Sequence, residues 1–160
     1  VALNSGIEWI VKFKPTRNFG LQYAYTYSNF EFVDYTLNQV QLSGNRVPGL
    51  PPHRTYASIN YYFNPKFYVS IYWEAVSRYY ANDNNGPLVY GADEEYNYVN
   101  KGYRRTDLRL SYSIGKGQIF VGINNIFNVR YNGSIVPNAF GNRFFEPAAG
   151  RVLFLGLKRN

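Results

Sequence analysis

Residues 119–131 of the chain read IFVGINNIFNVRY, and this stretch decides the predicted fold. In its first half, the aliphatic residues Ile119, Val121 and Ile123 alternate with single residues that are not aliphatic. Successive side chains of a β-strand point to opposite faces, so these three residues share one face. The pattern therefore predicts a β-strand whose two faces meet different surroundings.

The composition is unusual for a soluble domain of 160 residues. The chain combines 17 Tyr and 12 Phe with many polar residues, whereas soluble cores are usually rich in Leu, Ile and Val. Abundant tyrosine suits a wall with one apolar face, one wet face and aromatic belts at both interfaces. No apolar run approaches the roughly 18 residues of a transmembrane helix. The absence of cysteine excludes disulfides and thiolate metal sites within this sequence.

The formal net charge of the chain is +7. Such an excess of cations is found in proteins that bind nucleic acid, anionic ligands or lipopolysaccharide. It also arises when charges line the wet faces and loops of a sheet. We favour this second interpretation, and expect no nucleic-acid partner, because the Lys and Arg residues form no run in the sequence.

Seven strand-like runs are joined by connections that are alternately short and long. The runs cover roughly residues 6–14, 19–34, 53–63, 67–80, 103–114, 119–124 and 151–159. The short turns lie at 15–18, 64–66 and 115–117, and the long loops at 35–52, 81–102 and 132–150. Tilted strands of about 9–11 residues span a bilayer, and transmembrane barrels have short turns on one side and long loops on the other. The pattern predicts an all-β, antiparallel transmembrane barrel segment, with a soluble antiparallel sandwich as the alternative.

The alternation within each run assigns side chains to two faces. We expect a lumen face with Glu8, Lys12, Ser28, Asn60, Glu74, Asp107 and Arg109, and a lipid face with Trp9, Tyr23, Ile59, Ile71, Leu110, Val121 and Leu155. Asn125 falls on the lipid side of this pattern, which a bulge or a position near the rim would explain.

Seven strands cannot form a closed bacterial barrel, because those barrels use an even number of strands. An open sheet would leave unpaired backbone groups in lipid, at several kcal/mol each. We therefore expect the chain to be a wall segment of a larger barrel, whose earlier strands lie outside the sequence.

The second half of the opening stretch, Asn125-Ile126-Phe127-Asn128 followed by Tyr131, resembles the penultimate strand of TonB-dependent outer-membrane receptors. Residues 47–54, VPGLPPHR, resemble the approach to a late strand of that family. Residues 18–27 resemble its tyrosine-rich L-x-Y-x-Y-T-Y strand, and residues 141–157 its aromatic last loop and closing strand. Such barrels usually end in an aromatic residue, whereas this sequence ends at Asn160, so we expect at least one further residue.

The resemblance implies that residues 1–160 are the C-terminal part of a barrel of about 22 strands. An N-terminal plug domain, absent from this sequence, would connect the barrel to the TonB energy complex. The whole protein would be an outer-membrane transporter of a Gram-negative bacterium, not an enzyme, that takes up a ferric siderophore or similar chelate. Implied partners are membrane lipid, lipopolysaccharide, TonB through the plug, the small-molecule ligand and a surface lipoprotein; no cofactor is implied. The alternatives are a porin-like channel or structural scaffold and, third, an outer-membrane hydrolase.

Aromatic and basic residues in or beside the long loops are candidates for ligand binding. They are Tyr90, Tyr96, Tyr98, Arg104, Phe140, Arg143 and Phe144. Rings and guanidinium groups grip flat or anionic ligands by stacking and charge. The same residues are also typical of an interfacial girdle and of packing between loops, and this second interpretation is the favoured one.

The sequence predicts no catalytic or metal site. His53 is the single histidine, and the chain contains neither a G-x-S-x-G nor an H-E-x-x-H pattern. We expect His53 to be an interface residue at the start of a strand. The acidic residues 93–95 with Asp83 could hold a cation, although their spacing is not that of an EF-hand and a solvated loop is the favoured interpretation.

Overall fold

The computed structural model describes residues 1–86 and 98–159, which form strands joined by turns and loops and one short 3₁₀ turn, Phe140–Asn142. The described strands are β1 (Ala2–Phe13), β2 (Phe19–Phe32), β3 (Thr36–Leu37), β4 (Val40–Gln41), β5 (His53–Tyr62), β6 (Phe67–Val76), β7 (Tyr79–Tyr80), β8 (Val99–Asn100), β9 (Tyr103–Ile114), β10 (Gly117–Asn124), β11 (Asn132–Ile135), β12 (Phe145–Pro147) and β13 (Val152–Arg159). In the described part of the chain, no helix reaches the length and apolarity needed to cross a membrane.

Seven long strands form one antiparallel sheet in the order β1-β2-β5-β6-β9-β10-β13. Each strand pairs with its neighbours along the chain, and the six short strands form three separate pairs within the long loops. The predicted fold class, an antiparallel sheet of seven strands, is confirmed. The fourth predicted run was too long, because β6 ends at Val76 and Tyr79–Tyr80 is a separate strand paired with Val99–Asn100.

The short turns are fixed by local hydrogen bonds and by one glycine. The Asn64 side-chain oxygen accepts hydrogen bonds from the backbone N–H groups of Lys66 and Phe67, both at 2.9 Å. Thr16 Oγ1 accepts a bond from the Phe19 N–H at 3.1 Å. Gly115 has φ +55°, in the left-handed region that a tight hairpin turn requires. These local interactions set the register of each hairpin.

The register also gives the tilt of the strands. The last residue pair of the β1–β2 hairpin is level with Ile59 on β5. The last pair of the β5–β6 hairpin, Tyr62 with Tyr68, lies three residues further along β5 than Ile59. The β9–β10 hairpin is displaced by three further residues, from Ser111 to Ile114. Three residues are about 10 Å along a strand, and two strand spacings are also about 10 Å. The line of short turns therefore crosses the strands at about 45°, close to the tilt of transmembrane barrels.

One face of the sheet is apolar and uncovered. Leu153, Leu155 and Leu157 on β13 are 71%, 70% and 78% exposed, and Ile59 and Ile71 in the centre of the sheet are also exposed. No second layer packs on this face in residues 1–86 or 98–159, and the described core is a small cluster in the loops. Exposed apolar surface of this extent marks contact with a membrane or a partner. A soluble sandwich would instead bury these rows against a second sheet.

Aromatic residues flank the aliphatic centre of the apolar face. Near the short turns, the Phe63 ring lies 4.9 Å from the Tyr61 ring and 5.0 Å from the Phe67 ring, centroid to centroid. Towards the long loops, the Trp9 ring lies 5.6 Å from the Tyr23 ring and 6.4 Å from the Tyr25 ring. Two aromatic zones on either side of an aliphatic band are the pattern of a barrel wall in a bilayer.

Replacing Ile71 by Lys should destabilise the folded wall, because Ile71 lies in the centre of the aliphatic band. A lysine at the bilayer midplane costs about 2–4 kcal/mol. The matched control, Gln22→Lys, places the same side chain on the opposite face and should change the free energy of unfolding far less. Urea unfolding of the full barrel in lipid vesicles measures both values. Equal losses for the two variants would contradict the assignment of the faces.

Candidate functional site

The polar face of the sheet carries an ion-pair cluster near the long loops. Arg105 on β9 lies directly opposite Glu74 on β6, with Nη2 3.1 Å from the Glu74 Oε2. The same nitrogen lies 3.6 Å from Asp107 Oδ2, and all three side chains are partly exposed. Because two carboxylates share one guanidinium, the cluster has a net charge of −1.

The turn after β10 is built around Asn125, which is buried and has φ 54°. Its side-chain amide bonds both backbone groups of Val129: Nδ2 donates to the carbonyl oxygen and Oδ1 accepts from the N–H, each at 2.9 Å. The Asn125 N–H donates to Asp107 Oδ1 at 2.8 Å. Asparagine tolerates the left-handed region, and its amide here replaces a strand partner. Since β10 ends at Asn124, Asn125 lies beyond the strand and no bulge is needed to explain it.

The rest of this motif ties the turn to neighbouring strands. Asn128, with φ 53°, accepts a hydrogen bond from the Arg151 N–H at 2.9 Å, just before β13. The Tyr131 ring lies 4.1 Å from the Tyr103 ring, centroid to centroid, and its hydroxyl accepts a bond from Arg105 Nη1 at 3.3 Å. The motif therefore joins the last two strands and the third long loop to the ion-pair cluster.

A second group on the polar face interlocks the closing strands. The Phe154 ring lies over Gly122, and the Phe120 ring lies over Gly156, so closely that a Cβ at either glycine would overlap the ring. The guanidinium carbon of Arg109 lies 5.3 Å and 5.6 Å from the centroids of the Phe120 and Phe154 rings. Glycine allows this close approach because it has no side chain. Among the described residues, Arg109 is thereby held by cation–π contacts and forms no ion pair with a carboxylate.

Asparagine side chains lock the first long loop to the second. Asn85 Oδ1 accepts a hydrogen bond from the Arg46 N–H at 2.6 Å, and Asn85 Nδ2 donates to the Arg46 carbonyl oxygen at 2.7 Å. The Tyr35 hydroxyl donates to Asp83 Oδ2 at 3.2 Å, and Asn45 Nδ2 donates to the Asp83 carbonyl oxygen at 2.9 Å. Because the Asn85 amide bonds both the backbone N–H and the backbone carbonyl of Arg46, it takes the place of a neighbouring strand.

The second and third long loops are joined in the same way. The Asn138 amide accepts from the Asp83 N–H and donates to Asp83 Oδ1, both at 3.0 Å. The Asn138 N–H also donates to the Ala81 carbonyl oxygen at 2.9 Å. Beneath these bonds lies a small core of Ala81 (0% exposed), Tyr98 (2%) and Phe144 (4%), in which the Tyr98 and Phe144 ring centroids are 5.5 Å apart. The described parts of the three loops therefore form one connected layer.

The structure does not bring the five described candidate ligand-binding residues together at one site. Tyr90 and Tyr96 lie outside the described residues. Tyr98 and Phe144 are buried in the loop core, where they pack one loop against another. Arg104 is exposed but lies on the apolar face by register, opposite Ala75. Phe140 and Arg143 are exposed at and just after the 3₁₀ turn of the third loop.

The seven residues predicted for the lumen share one face of the sheet, and Ser28, which pairs with Gly6, is one of them. The other six are Glu8, Lys12, Asn60, Glu74, Asp107 and Arg109, whose register positions all lie on the side of the ion-pair cluster. Glu74 and Asp107 meet at Arg105, and Asn60 Oδ1 accepts a hydrogen bond from Ser70 Oγ at 2.6 Å. Charged residues on the opposite face of the strands occur at their ends, as with Arg104.

Two further basic residues, Arg105 and Arg54, lie on this face in addition to the predicted lumen residues. Arg105 follows Arg104 directly. The alternation that places Asp107 on the polar face also places Arg105 there, so the sequence alone predicts the position of Arg105. Arg54 lies on the same face at the long-loop end of β5, and it takes part in neither ion pair of the described chain. Burial raises the pKa of the nearby Tyr79 hydroxyl above its usual value, while the hydrogen bond with Asn100 and the positive charge of Arg54 act in the opposite direction.

His53 lies on the apolar face, where its Nδ1 is hydrogen-bonded to the Tyr25 hydroxyl at 2.8 Å. Its ring centroid lies 5.2 Å from that of Tyr27. Within residues 1–86 and 98–159, no group of three or more His, Asp or Glu residues is placed to hold a metal ion. The acidic residues 93–95 lie outside the described part.

Comparisons with known proteins agree on one family. The sequence model of the family described as TonB dependent receptor-like, beta-barrel, matches residues 2–126. Solved structures with a similar fold include the ferric citrate transporter FecA (TM-score 0.82, 19% identity), the siderophore receptor PiuA from Acinetobacter baumannii (0.77, 18%) and the ferric yersiniabactin uptake receptor FyuA from Yersinia pestis (0.75, 17%). Each match covers 99% of this chain but only 24%, 22% and 23% of the respective structures. The chain thus spans less than a quarter of the length of these proteins.

Replacing Asn125 by Ala should loosen the turn and the third loop, because two hydrogen bonds to Val129 are lost at a buried position. The expected loss is about 1–3 kcal/mol of local stability. Hydrogen exchange at the Val129 amide measures it directly. Asn124→Ala is the matched control, since Asn124 is exposed and makes no side-chain hydrogen bond in the described chain. Unchanged protection in the Asn125 variant would show that the amide does not hold the turn.

Replacing Asn85 by Ala should release the first long loop from the second, because the Arg46 N–H and carbonyl groups lose their partner. Limited proteolysis within residues 34–52 should become faster, by about tenfold if one net hydrogen bond of about 1.4 kcal/mol is lost. The neighbouring variant Asn84→Ala controls for changes to the turn itself. Equal cleavage rates for the two variants would contradict the proposed lock.

Proposed function

The chain belongs to the TonB-dependent receptor β-barrel family, and we propose that it forms part of the wall and outer vestibule of an active transporter in the Gram-negative outer membrane. The observation that carries this proposal is the uncovered apolar face of the seven-stranded sheet, opposite a face that holds the ion pairs. A wall with lipid on one side and water on the other needs this division. The tilt of about 45° that follows from the register also fits a barrel wall.

The rest of the transporter is proposed from the family. We place residues 1–160 in the C-terminal part of a barrel of about 22 strands, with the polar face towards the lumen. An N-terminal plug domain would close the lumen and receive energy from TonB. In that arrangement, Glu8, Lys12, Asn60, Glu74, Asp107 and Arg109 line the lumen. No observation on the described residues favours a porin-like channel.

We propose an anionic iron chelate as the transported ligand. The similar structures are named for ferric citrate, ferric yersiniabactin and siderophore uptake, and the vestibule of this chain offers suitable chemistry. Arg54 lies on the polar face at the long-loop end of β5 and is a cation without a carboxylate partner in the described chain. Charge-assisted hydrogen bonds from arginine are strong and suit carboxylate or catecholate oxygens.

The candidate residues contribute differently to this proposal. Phe140 and Arg143 are exposed on the third loop and could meet a ligand as it arrives. Tyr98 and Phe144 would act by holding the loops together. Arg104 faces away from the lumen, and Arg105, which already binds Glu74 and Asp107, lies in its place on the inner face. The roles of Tyr90 and Tyr96 stay predictions.

Replacing Arg54 by Ala in the full receptor should weaken binding of the ferric chelate. Loss of one hydrogen bond to a charged group corresponds to about a tenfold to hundredfold weaker affinity. Fluorescence titration with the ferric complexes of citrate, a catecholate and a hydroxamate measures the affinity. Lys12→Ala is the matched control, because Lys12 lies on the same face near the short turns.

Uptake of the radiolabelled chelate by iron-starved cells tests the transport itself. Uptake should stop when TonB is deleted, because active transport requires the energy complex. Uptake that continues at the same rate without TonB, and that rises linearly with concentration, would identify a passive channel and refute the proposal.

A further inference from the structure

The end of the sheet that carries the short turns is rich in exposed cations. Lys14, Arg17, Lys66, Lys116, Lys158 and Arg159 all lie there, and all six are exposed. They belong to segments 13–19, 63–67, 114–118 and 157–159, which contain no Asp or Glu. We call these six residues the basic rim. They come from four segments that are distant in sequence, so the sequence shows no long run of cations.

The register places the basic rim along one line. Lys14 and Arg17 lie in the β1–β2 turn, Lys66 in the β5–β6 turn and Lys116 in the β9–β10 turn. Lys158 and Arg159 pair with Gln118 and Gly117 at the end of the last strand. The three turns are displaced stepwise by three residues, so this line crosses the strands at about 45°. In a barrel with tilted strands, such a line runs parallel to the membrane surface.

No carboxylate neutralises these cations in the described structure. The ion pairs of residues 1–86 and 98–159 both involve Arg105, which lies near the other end of the sheet. The long-loop end differs, because Glu31, Asp34, Asp83 and Glu146 accompany its basic residues. The positive charge of the chain is therefore uncompensated at the short-turn end.

The basic rim lies next to the aromatic zone of the apolar face. Lys66 lies between Phe63 and Phe67, whose rings are 5.0 Å apart, and Arg159 lies two residues beyond the exposed Leu157. Aromatic residues mark the level of the membrane interface, and lysine or arginine just beyond them reaches the headgroups. In a wall that spans a bilayer, this position would put Lys66 and Arg159 at the height of the lipid phosphates, and the line of the turns would bring the other four cations to the same level.

We propose that the basic rim binds anionic phospholipid headgroups of the leaflet that meets the short turns. The inference rests on the proposed function, because it requires the sheet to stand in a bilayer. Anionic lipid is favoured over an acidic protein because the cations are spread along the line of the turns and not gathered on one face. Attraction of this kind is electrostatic and weakens as salt is added.

The test uses the full receptor reconstituted in phosphatidylcholine vesicles that contain spin-labelled phosphatidylglycerol or, in a parallel sample, spin-labelled phosphatidylcholine. Electron paramagnetic resonance gives the fraction of each probe held at the protein surface. The wild-type receptor should prefer phosphatidylglycerol, and the double variant Lys66→Ser/Lys116→Ser should reduce this preference about two- to fivefold at low salt. The charge-conserving pair Lys66→Arg/Lys116→Arg should retain it.

Two outcomes separate the inference from the proposed function. The matched control, Lys101→Ser/Arg130→Ser, removes two cations from the long-loop end and should leave the preference unchanged; an equal loss would overturn the role of the basic rim. A receptor that floats with the vesicles but holds both probes equally would overturn this inference alone and leave an acidic protein as the partner. A receptor that does not float with the vesicles would overturn the proposed function and this inference together.

Discussion

Backbone hydrogen bonding is the constraint on which the rest of this structure depends. In lipid, an unpaired N–H or carbonyl group costs several kcal/mol, so a chain that crosses with strands must pair them continuously. The five inner long strands are paired on both sides, and within the described sheet only the outer edges of β1 and β13 lack a partner strand. Once this ladder is fixed, alternation sends Ile71 and Leu110 to one side and Glu74 and Asp107 to the other. The division between lipid and water then follows from the sequence.

The long loops meet the same requirement without long strands. Their backbone groups find partners in the side-chain amides of Asn85, Asn125 and Asn138, each of which bonds both to a donor and to an acceptor. Five of the six non-glycine residues with positive φ in the described chain are asparagines. Asparagine therefore has two roles here: it adopts left-handed turns, and it replaces a missing strand. This arrangement would hold a vestibule open above the lumen while keeping polar surface towards the ligand.

The sheet could be predicted from the sequence because strand alternation is local. The strand positions and the two faces depend on a period of two, and the register of each hairpin depends on short turns such as Asn64–Phe67. The loop layer could not be predicted, since Tyr98 and Phe144 are separated by 46 residues and become a core only through pairings that show no periodicity. Arg104 was a candidate because it lies beside a loop, whereas the alternation that was already in use favours Arg105. The basic rim was missed for a similar reason, because its residues become neighbours only after the register is known.

The central claim is that one face of the sheet lies in lipid and the other in water. The chain has no cysteine, so single cysteines can be placed at consecutive positions of β9, from Asp107 to Tyr112, and labelled with nitroxides in the reconstituted full receptor. Collision rates with oxygen, which is enriched in lipid, and with a water-soluble nickel chelate should alternate with a period of two. Positions 108, 110 and 112 should favour oxygen, and positions 107, 109 and 111 should not. Low collision rates with both reagents at 108, 110 and 112 would show that these side chains are buried in a dry protein core, and would contradict the account.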